Sequence, residues 1–136
     1  ARMDQRVLDL LREAKVIAVV GISDKPERPS FQVAAYLQGQ GYQIVPVNPG
    51  LVSVLGEPCF ASLTACGKAV DIVDIFRASE AVPPIVEEAI STGAKGVWMQ
   101  EGVSHPAAAA RAEAAGLTVV QDMCIKKALM TSGGRP

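Results

Sequence analysis

Continuous apolar runs alternate along the chain with segments in which apolar residues recur every three to four positions. Short apolar runs are typical of parallel strands that are buried on both faces, whereas a recurrence every three to four positions is typical of an amphipathic helix. The runs predict five strands, over residues 16–20, 43–48, 70–76, 96–99 and 117–120. Helical patterns fill the intervals, and a covering helix over residues 4–15 precedes the first strand.

Capping and breaking residues set the expected bounds of these elements. Ser30 is placed as the N-cap of the second helix and Ser104 as the cap of a later one. Pro46 lacks a backbone N–H, so we expect the second strand to be short or irregular there. Residues 51–62 predict a loop with one short extended piece and a brief helix from Ser62. The closing segment 131–136 is expected to be mobile.

The alternation predicts an α/β fold in a single domain that spans residues 1–136. Because each parallel crossover is right-handed and needs a helix, the favoured architecture is a Rossmann-like, doubly wound sheet of five parallel strands. With the strands numbered in chain order, we predict the order 3-2-1-4-5. Ligands of such sheets bind beyond the carboxyl ends of the strands, where the winding reverses.

Composition narrows the classes of partner. Lys and Arg number 13 and Asp and Glu 14, so the net charge of −1 provides no general attraction to nucleic acid or to an anionic membrane. The longest apolar runs fall far short of the ~20 residues of a membrane-spanning helix. Three cysteines without a C-x-x-C pair are typical of a reducing compartment, and one histidine argues against a zinc site. We therefore expect a soluble, cytoplasmic protein without a metal.

The loop after the first predicted strand carries candidate phosphate-binding groups. It begins at Gly21 and lacks both the later glycines of G-x-G-x-x-G and the G-K-[ST] of a P-loop. It does offer Lys25 and Arg28 as cations, Ser23 and Ser30 as hydroxyl groups, and free N–H groups where a helix begins. This combination suits a polyphosphate. A plainer alternative stays open, in which Ser30 only caps the helix and both cations are solvated.

The next two strand ends add further candidates. Dinucleotide-binding sheets place a carboxylate at the end of the second strand, whereas this chain has Asn48 and Pro49 there, which argues against NAD. Phe76 and Arg77 end the third strand and could place an aromatic face and a cation beside a ligand. The alternative is that Phe76 belongs to the core and Arg77 is simply exposed.

After the fourth strand, Gln100 and Gly102 are candidate ligand contacts, because glycine lets the backbone approach a ligand closely. Trp98 is interpreted as a core residue. The sequence offers few candidate catalytic residues. His105 has no evident nucleophile partner and is interpreted as a surface residue, and Cys124 as a buried, inert thiol.

Asp71 and Asp74 are three residues apart in a strand, so they face opposite sides and form no carboxylate pair. We interpret them as cap or loop partners. No catalytic constellation emerges from the sequence, and enzymatic activity is left open.

Several motifs occur in one order over residues 10–126. They are VGISDKPERPSFQVAAYL, IVPVNP, LGEPCFASL, VDIVDIFR, AVPPIVEEAISTGAKGVWMQEGV and VVQDMC. Together they resemble the small stand-alone CoA-binding protein family, which is similar to the Rossmann-like CoA-binding domain of the succinyl-CoA synthetase α subunit. One departure is Met123, where relatives commonly have Arg, and this puts a ligand role of Asp122 and Met123 in doubt.

The resemblance implies binding of coenzyme A, whose phosphates suit paired cations. It implies contacts from residues in four loops: Gly21, Ile22, Ser23, Lys25, Arg28 and Ser30; Val47, Asn48 and Pro49; Phe76 and Arg77; and Gln100 and Gly102. The chain lacks the second ligase domain that carries a phosphorylated histidine, so the resemblance does not imply ligase activity. We expect a binding protein for CoA or an acyl-CoA. The alternatives are an NAD(P)-linked or acyl-CoA-handling enzyme subunit and a regulatory or structural partner without a ligand.

Overall fold

The computed structural model describes residues 3–136, and its elements follow the predicted alternation of strands and helices. In chain order they are α1 (Gln5–Glu13), β1 (Val16–Val20), α2 (Pro29–Gly39), β2 (Gln43–Val47), β3 (Ser53–Val54), β4 (Glu57–Pro58), α3 (Leu63–Cys66), β5 (Ile72–Ile75), a 3-10 turn (Ser79–Ala81), α4 (Val82–Ser91), β6 (Gly96–Met99), α5 (Pro106–Ala114), β7 (Thr118–Val120) and α6 (Ile125–Thr131). All five predicted strands are present, as β1, β2, β5, β6 and β7. The bounds predicted for β1 and β6 are confirmed.

These five strands form one sheet in the order β2-β1-β5-β6-β7, and every neighbouring pair is parallel. The predicted fold class, a doubly wound α/β sheet of Rossmann-like type, is confirmed. The strands β3 and β4 form a separate antiparallel pair in the connection between β2 and β5. The short helix predicted from Ser62 is α3, whose first turn is capped because Ser62 Oγ accepts from the backbone N–H of Ala65 (3.1 Å).

The position of the third large strand differs from the predicted order. That order would place β5 outside β2, whereas β5 lies between β1 and β6. The outer edge of β2 is already occupied, because Phe60 donates to the carbonyl of Pro46 (3.0 Å) and accepts from the N–H of Asn48 (2.8 Å). The chain therefore crosses to the other side of β1, and the winding reverses between β1 and β5.

Alternate residues along the strands enter two apolar layers. Helices α1, α2 and α6 pack on the layer that contains Ile17, Val19 and Trp98, which we call the Trp98 face. Helices α3, α4 and α5 pack on the layer that contains Ala18 and Met99, called the Met99 face. Burial on both sides explains why the strands read as continuous apolar runs. The prediction that Trp98 is a core residue is confirmed, since it is fully buried.

Three local predictions are corrected. Ser30 is not an N-cap, because α2 begins at Pro29 and Ser30 already lies within the helix. Ser104 is not the cap of α5 either. His105 holds that position, and its Nδ1 accepts from the N–H of Ala108 (3.1 Å). Strand β2 runs without a break through Pro46, whose position in an edge strand makes the missing donor tolerable.

The closing segment 131–136, for which the sequence predicts mobility, makes defined contacts. The N–H of Arg135 donates to Gln40 Oε1 (2.9 Å), and its guanidinium donates to the carbonyl of Ala14. The same guanidinium lies over the ring of Tyr42, 4.2 Å from its centre. Burial raises the pKa of the Tyr42 hydroxyl, which donates to the carbonyl of Leu11.

Candidate functional site

The reversal of winding between β1 and β5 opens a crevice at the carboxyl edge of the sheet. After β1 the chain turns toward α2 on the Trp98 face, and after β5 it turns toward α4 on the Met99 face. The loops therefore diverge, and the strand ends between them are left uncovered. Crevices of this type bind the ligands of open α/β sheets.

Gly21 brings three strand ends together at this crevice. Its φ of +88° lies in the left-handed region, and a Cβ placed there would lie 2.3 Å from the carbonyl oxygen of Phe76. The same Cβ would lie 2.9 Å from Cδ of Arg77. The N–H of Gly21 donates to the carbonyl of Val47 at the end of β2 (2.9 Å). Only glycine permits this close approach without displacing the backbone after β5.

The loop between β1 and α2 is internally braced and exposes two cations. The backbone N–H of Ser23 donates to the buried Ser30 Oγ (2.9 Å), and the N–H of Lys25 donates to Ser23 Oγ (3.1 Å). Lys25 and Arg28 are exposed and take part in no ion pair within residues 3–136. The first turn of α2 adds N–H groups without helical partners. A braced loop of this kind suits an anion.

Asn48 joins the loop after β2 to the loop after β1. Its Nδ2 donates to the carbonyl of Ile22 (2.8 Å), and its Oδ1 accepts from the N–H of Gly50 (2.8 Å). Both polar ends of the side chain are therefore engaged within the protein. Asn48 thereby links the two loops, and since its amide nitrogen carries two N–H groups, one of them is not used in this contact.

Two cavities flank the crevice, one on each face of the sheet. The cavity on the Met99 face has a volume of about 540 Å³, and we call it the nucleotide cavity. It is lined by Val20, Gly21, Val47, Asn48, Pro49, Ala61, Ser62, Leu63, Arg77, Ala81, Pro84, Ile85 and Glu88. The cavity on the Trp98 face has a volume of about 420 Å³, and we call it the arm cavity. It is lined by Pro29, Val33, Phe76, Arg77, Ala78, Gln100, Glu101, Val103 and Cys124. Arg77 lines both cavities, so they meet at the end of β5.

The structure gathers most of the candidate contacts at this edge. Gly21, Val47, Asn48, Pro49 and Arg77 line the nucleotide cavity, and Phe76, Arg77 and Gln100 line the arm cavity. Ser23, Lys25 and Arg28 lie on the braced loop beside them, and Ser30 lies in the first turn of α2. Gly102 follows in the loop after β6, outside both cavities. Ile22 is fully buried in the core of the Trp98 face and its carbonyl accepts from Asn48, so its side chain is not available to a ligand.

Hydrogen bonds from neighbouring segments position the loop after β6. The N–H of Gly102 donates to Asp122 Oδ1 (2.7 Å), and Asp122 holds a left-handed φ of 54°. The N–H of Ile125 donates to Gln100 Oε1 (3.1 Å), while Trp98 Nε1 donates to the carbonyl of Met123 (2.8 Å). The sequence left a ligand role of Asp122 in doubt. Its carboxylate instead serves to hold Gly102.

Sequence reasoning missed the residues that complete the cavities from the helices. Val33 of α2 and Cys124 before α6 line the arm cavity, and Ile85 and Glu88 of α4 line the nucleotide cavity. The start of α4 could have been identified, because it follows β5 at the same edge. Nothing in the sequence indicates that α2 and α6 converge beside β6.

The two strand aspartates have different environments. Asp71 accepts from the backbone N–H groups of Lys15 and Val16 (both 2.9 Å), which confirms its interpretation as a cap or loop partner. The same interpretation is wrong for Asp74, which lies in β5 between Val19 and Trp98. Asp74 is fully buried, and neither carboxylate oxygen has a partner within residues 3–136. Burial raises the pKa of the Asp74 carboxyl well above its ordinary value.

A third cavity, of about 500 Å³, lies at the opposite, amino edge of the sheet. Its lining includes the carboxylates of Asp9, Glu13 and Asp71 together with Arg6 and Lys95. Three carboxylates oppose the binding of a polyphosphate. The carboxyl edge is therefore the better candidate for an anionic nucleotide.

Within residues 3–136, no group of three or more His, Cys, Asp and Glu side chains is arranged to hold a metal ion. The imidazole of His105 caps α5 and is thereby committed to a structural contact. Across the same described residues, the helices lack the length and apolar character that crossing a bilayer requires.

Comparison with known proteins bears on what occupies the crevice. The CoA binding domain family matches residues 15–130, from the start of β1 to the last helix. The chain belongs to this CoA-binding family. The chain is 40% identical over 122 residues to the uncharacterized protein YneT of Bacillus subtilis strain 168, a match that spans 90% of both chains.

Solved structures share the fold of this chain. A hypothetical protein from Pyrococcus horikoshii OT3 superposes with a TM-score of 0.93 at 35% identity, covering 98% of this chain and 94% of that one. The protein cell-free ID.343 from Thermus thermophilus superposes with a TM-score of 0.86 at 37% identity, covering 93% and 96%. The family resemblance predicted from the sequence motifs is confirmed.

Proposed function

We propose that this protein binds coenzyme A or an acyl-CoA across the carboxyl edge of the sheet, with the diphosphate on the braced loop over residues 21–30. The observation that carries the proposal is the position of Arg77. It lines both cavities, packs beside Gly21 and has no ion-pair partner within the described residues. A cation at that junction, together with Lys25 and Arg28, suits a ligand whose diphosphate joins an adenosine end to an uncharged arm.

The nucleotide cavity suits the adenosine end of the ligand. Val47, Pro49 and Ile85 supply apolar surface for a purine. The Glu88 carboxylate lies in the same lining, and its Oε2 accepts from the N–H (3.1 Å) and hydroxyl (2.6 Å) of Thr64. A carboxylate repels phosphate, so the phosphate groups belong nearer the loop that carries Lys25 and Arg28. The arm cavity then receives the pantetheine arm.

The proposal is for binding, with no reaction assigned. Within the described residues, His105 caps α5, Asp71 accepts from the backbone before β1, and Asp74 is fully buried in β5. An enzyme subunit that handles acyl-CoA or NAD(P) is the second candidate. A regulatory partner without a ligand is the third.

Calorimetric titration of the purified protein with CoA, dephospho-CoA, acetyl-CoA and NAD separates these candidates. We expect CoA and acetyl-CoA to bind more tightly than NAD, because the loop lacks the glycines and β2 lacks the terminal carboxylate that NAD sites use. Dephospho-CoA should bind more weakly than CoA, since it has lost a phosphate. Tighter binding of NAD than of CoA would overturn the proposal, and the absence of heat with all four would favour the third candidate.

Replacement of Arg28 by alanine should weaken CoA binding without destabilising the fold, because its side chain is exposed and unpaired within the described residues. The expected loss is about 1 to 3 kcal/mol, the scale of a hydrogen bond to a charged group. The matched control is Arg6→Ala, which removes an exposed cation at the amino edge. Calorimetry should show a higher Kd for Arg28→Ala alone. Equal affinities in the two variants would contradict the assignment of the phosphate loop.

A further inference from the structure

A free thiol lies in the wall of the arm cavity. Cys124 precedes α6 and lines the cavity together with Val33 and Phe76. It forms no disulfide, and 8% of its surface is exposed. It also makes no side-chain hydrogen bond within residues 3–136. The sulfur therefore borders the cavity without being committed to another structural contact.

An amide nitrogen without an acceptor in the same wall indicates what kind of ligand enters the cavity. Gln100 is only 4% exposed, and its Oε1 is fixed by the N–H of Ile125 (3.1 Å). Its amide nitrogen donates to no acceptor within residues 3–136, although the side chain lines the cavity. Because this nitrogen is not sealed from the cavity, it can donate to a carbonyl oxygen of a ligand that enters there. The pantetheine arm of CoA carries two amide carbonyls.

The path from one cavity to the other sets the direction of the arm. With adenosine in the nucleotide cavity and the diphosphate beside Arg77, the arm passes from Arg77 toward Gln100 and the wall that holds Cys124. CoA ends in a thiol. The terminal sulfur of the ligand and the sulfur of Cys124 are thus directed into one cavity.

We infer that Cys124 is a site of covalent attachment for CoA, through disulfide exchange with CoA disulfide. The inference rests on the proposed function, because binding of one CoA half must bring the disulfide to the arm cavity. Cys124 loses its proton to solvent, and its thiolate attacks the nearer sulfur of the bound CoA disulfide. The S–S bond of CoA disulfide breaks as the Cys124–CoA disulfide forms. The second CoA leaves as a thiolate and takes up a proton. The exchange therefore needs no external oxidant, because CoA disulfide is itself reduced.

The other two cysteines make this inference testable by site. Cys59 is partly exposed but lies outside the arm cavity, and its Sγ donates to the carbonyl of Asn48 (3.5 Å). Burial raises the pKa of the Cys59 thiol. Cys66 is buried in the core of the Met99 face. Modification governed by simple exposure would favour Cys59, whereas modification directed by the bound ligand favours Cys124.

The test incubates the full-length protein with CoA disulfide and, separately, with glutathione disulfide at equal concentration, followed by intact mass and peptide mapping. We expect one CoA adduct per chain, mapped to Cys124 and released by dithiothreitol. Formation should be about tenfold faster or more with CoA disulfide, because binding places the reacting sulfur close to the thiol. Cys59→Ser should keep the adduct and Cys124→Ser should lose it.

Several results would overturn the inference. An adduct that maps mainly to Cys59 would do so, as would equal rates with the two disulfides. If the wild-type protein binds CoA in calorimetry but forms no adduct, the inference fails while the proposed function stands. If CoA produces no heat, the proposed function itself fails. Should Cys124→Ser fail to fold, the peptide map of the wild-type protein still decides between Cys124 and Cys59.

Discussion

Gly21→Ala should cost about 2 to 5 kcal/mol of unfolding free energy, the sum of left-handed strain and an overpacked contact. The φ of Gly21 is +88°, and an added Cβ would lie 2.3 Å from the carbonyl oxygen of Phe76. That oxygen belongs to the backbone after β5, so the strand end itself has to move. Because Phe76 and Arg77 line the arm cavity, the molecules that remain folded should also bind CoA more weakly. Urea unfolding and calorimetry measure the two effects.

Gly56→Ala is the matched control for the stability measurement. Gly56 has a comparable φ of +77°, but an added Cβ would meet nothing within 4 Å. It should therefore show only the conformational cost, about 1 to 2 kcal/mol. Similar losses in the two variants would mean that the contact between Gly21 and Phe76 is unimportant. The close approach of the ends of β1 and β5 would then need another cause.

Asp74→Asn should remove a pH dependence of stability that the wild-type protein shows. Burial raises the pKa of the Asp74 carboxyl in the folded state, so the folded protein holds this proton more strongly than the unfolded chain does. The contribution of this proton to the free energy of unfolding is fully present below the unfolded pKa of about 3.9, and it is lost as the pH rises toward the folded pKa. The limiting slope is about 1.4 kcal/mol per pH unit for one proton. Asparagine cannot ionise, so the variant lacks this pH-dependent contribution to the free energy of unfolding.

The measurement is urea unfolding of both proteins at several pH values from 4 to 8. We expect the free energy of unfolding of the variant to increase relative to that of the wild type as the pH rises. Taking the difference between the two proteins cancels the contribution of other carboxylates. The control is Asp71→Ala, which should instead destabilise the fold because the N–H groups of Lys15 and Val16 lose their acceptor. Parallel pH profiles for wild type and Asp74→Asn would contradict a buried, unpaired carboxyl.

The strands could be predicted from the sequence because both faces of the sheet are covered. Double coverage leaves apolar runs with clear ends, and β1 and β6 have the bounds that these runs indicated. The order of the strands could not be predicted in the same way. The connection from β2 to β5 contains a small antiparallel pair and one short helix, and its apolar pattern does not specify on which side of β1 it returns. The bridge between Val47 and Phe60, which closes the outer edge of β2, is visible only in the folded chain.

The candidate site was predictable in its loops and unpredictable in its walls. Loops that follow parallel strands meet at one edge whatever the order of the strands, so Gly21, Phe76 and Gln100 could be placed there from the sequence. Ser30 was misplaced because a serine before an amphipathic segment usually caps it, whereas here Pro29 already begins α2. The approach of Cys124 depends on how α6 packs beside β6, and periodicity carries no information about that.

The most direct test of the account is a crystal structure of the protein grown with CoA. We predict that the diphosphate lies against the loop over residues 21–30 and beside Arg77, with the adenosine toward Val47 and Pro49 and the arm toward Gln100. A complex in which CoA is bound at the amino edge, or anywhere that leaves this crevice empty, would contradict the account.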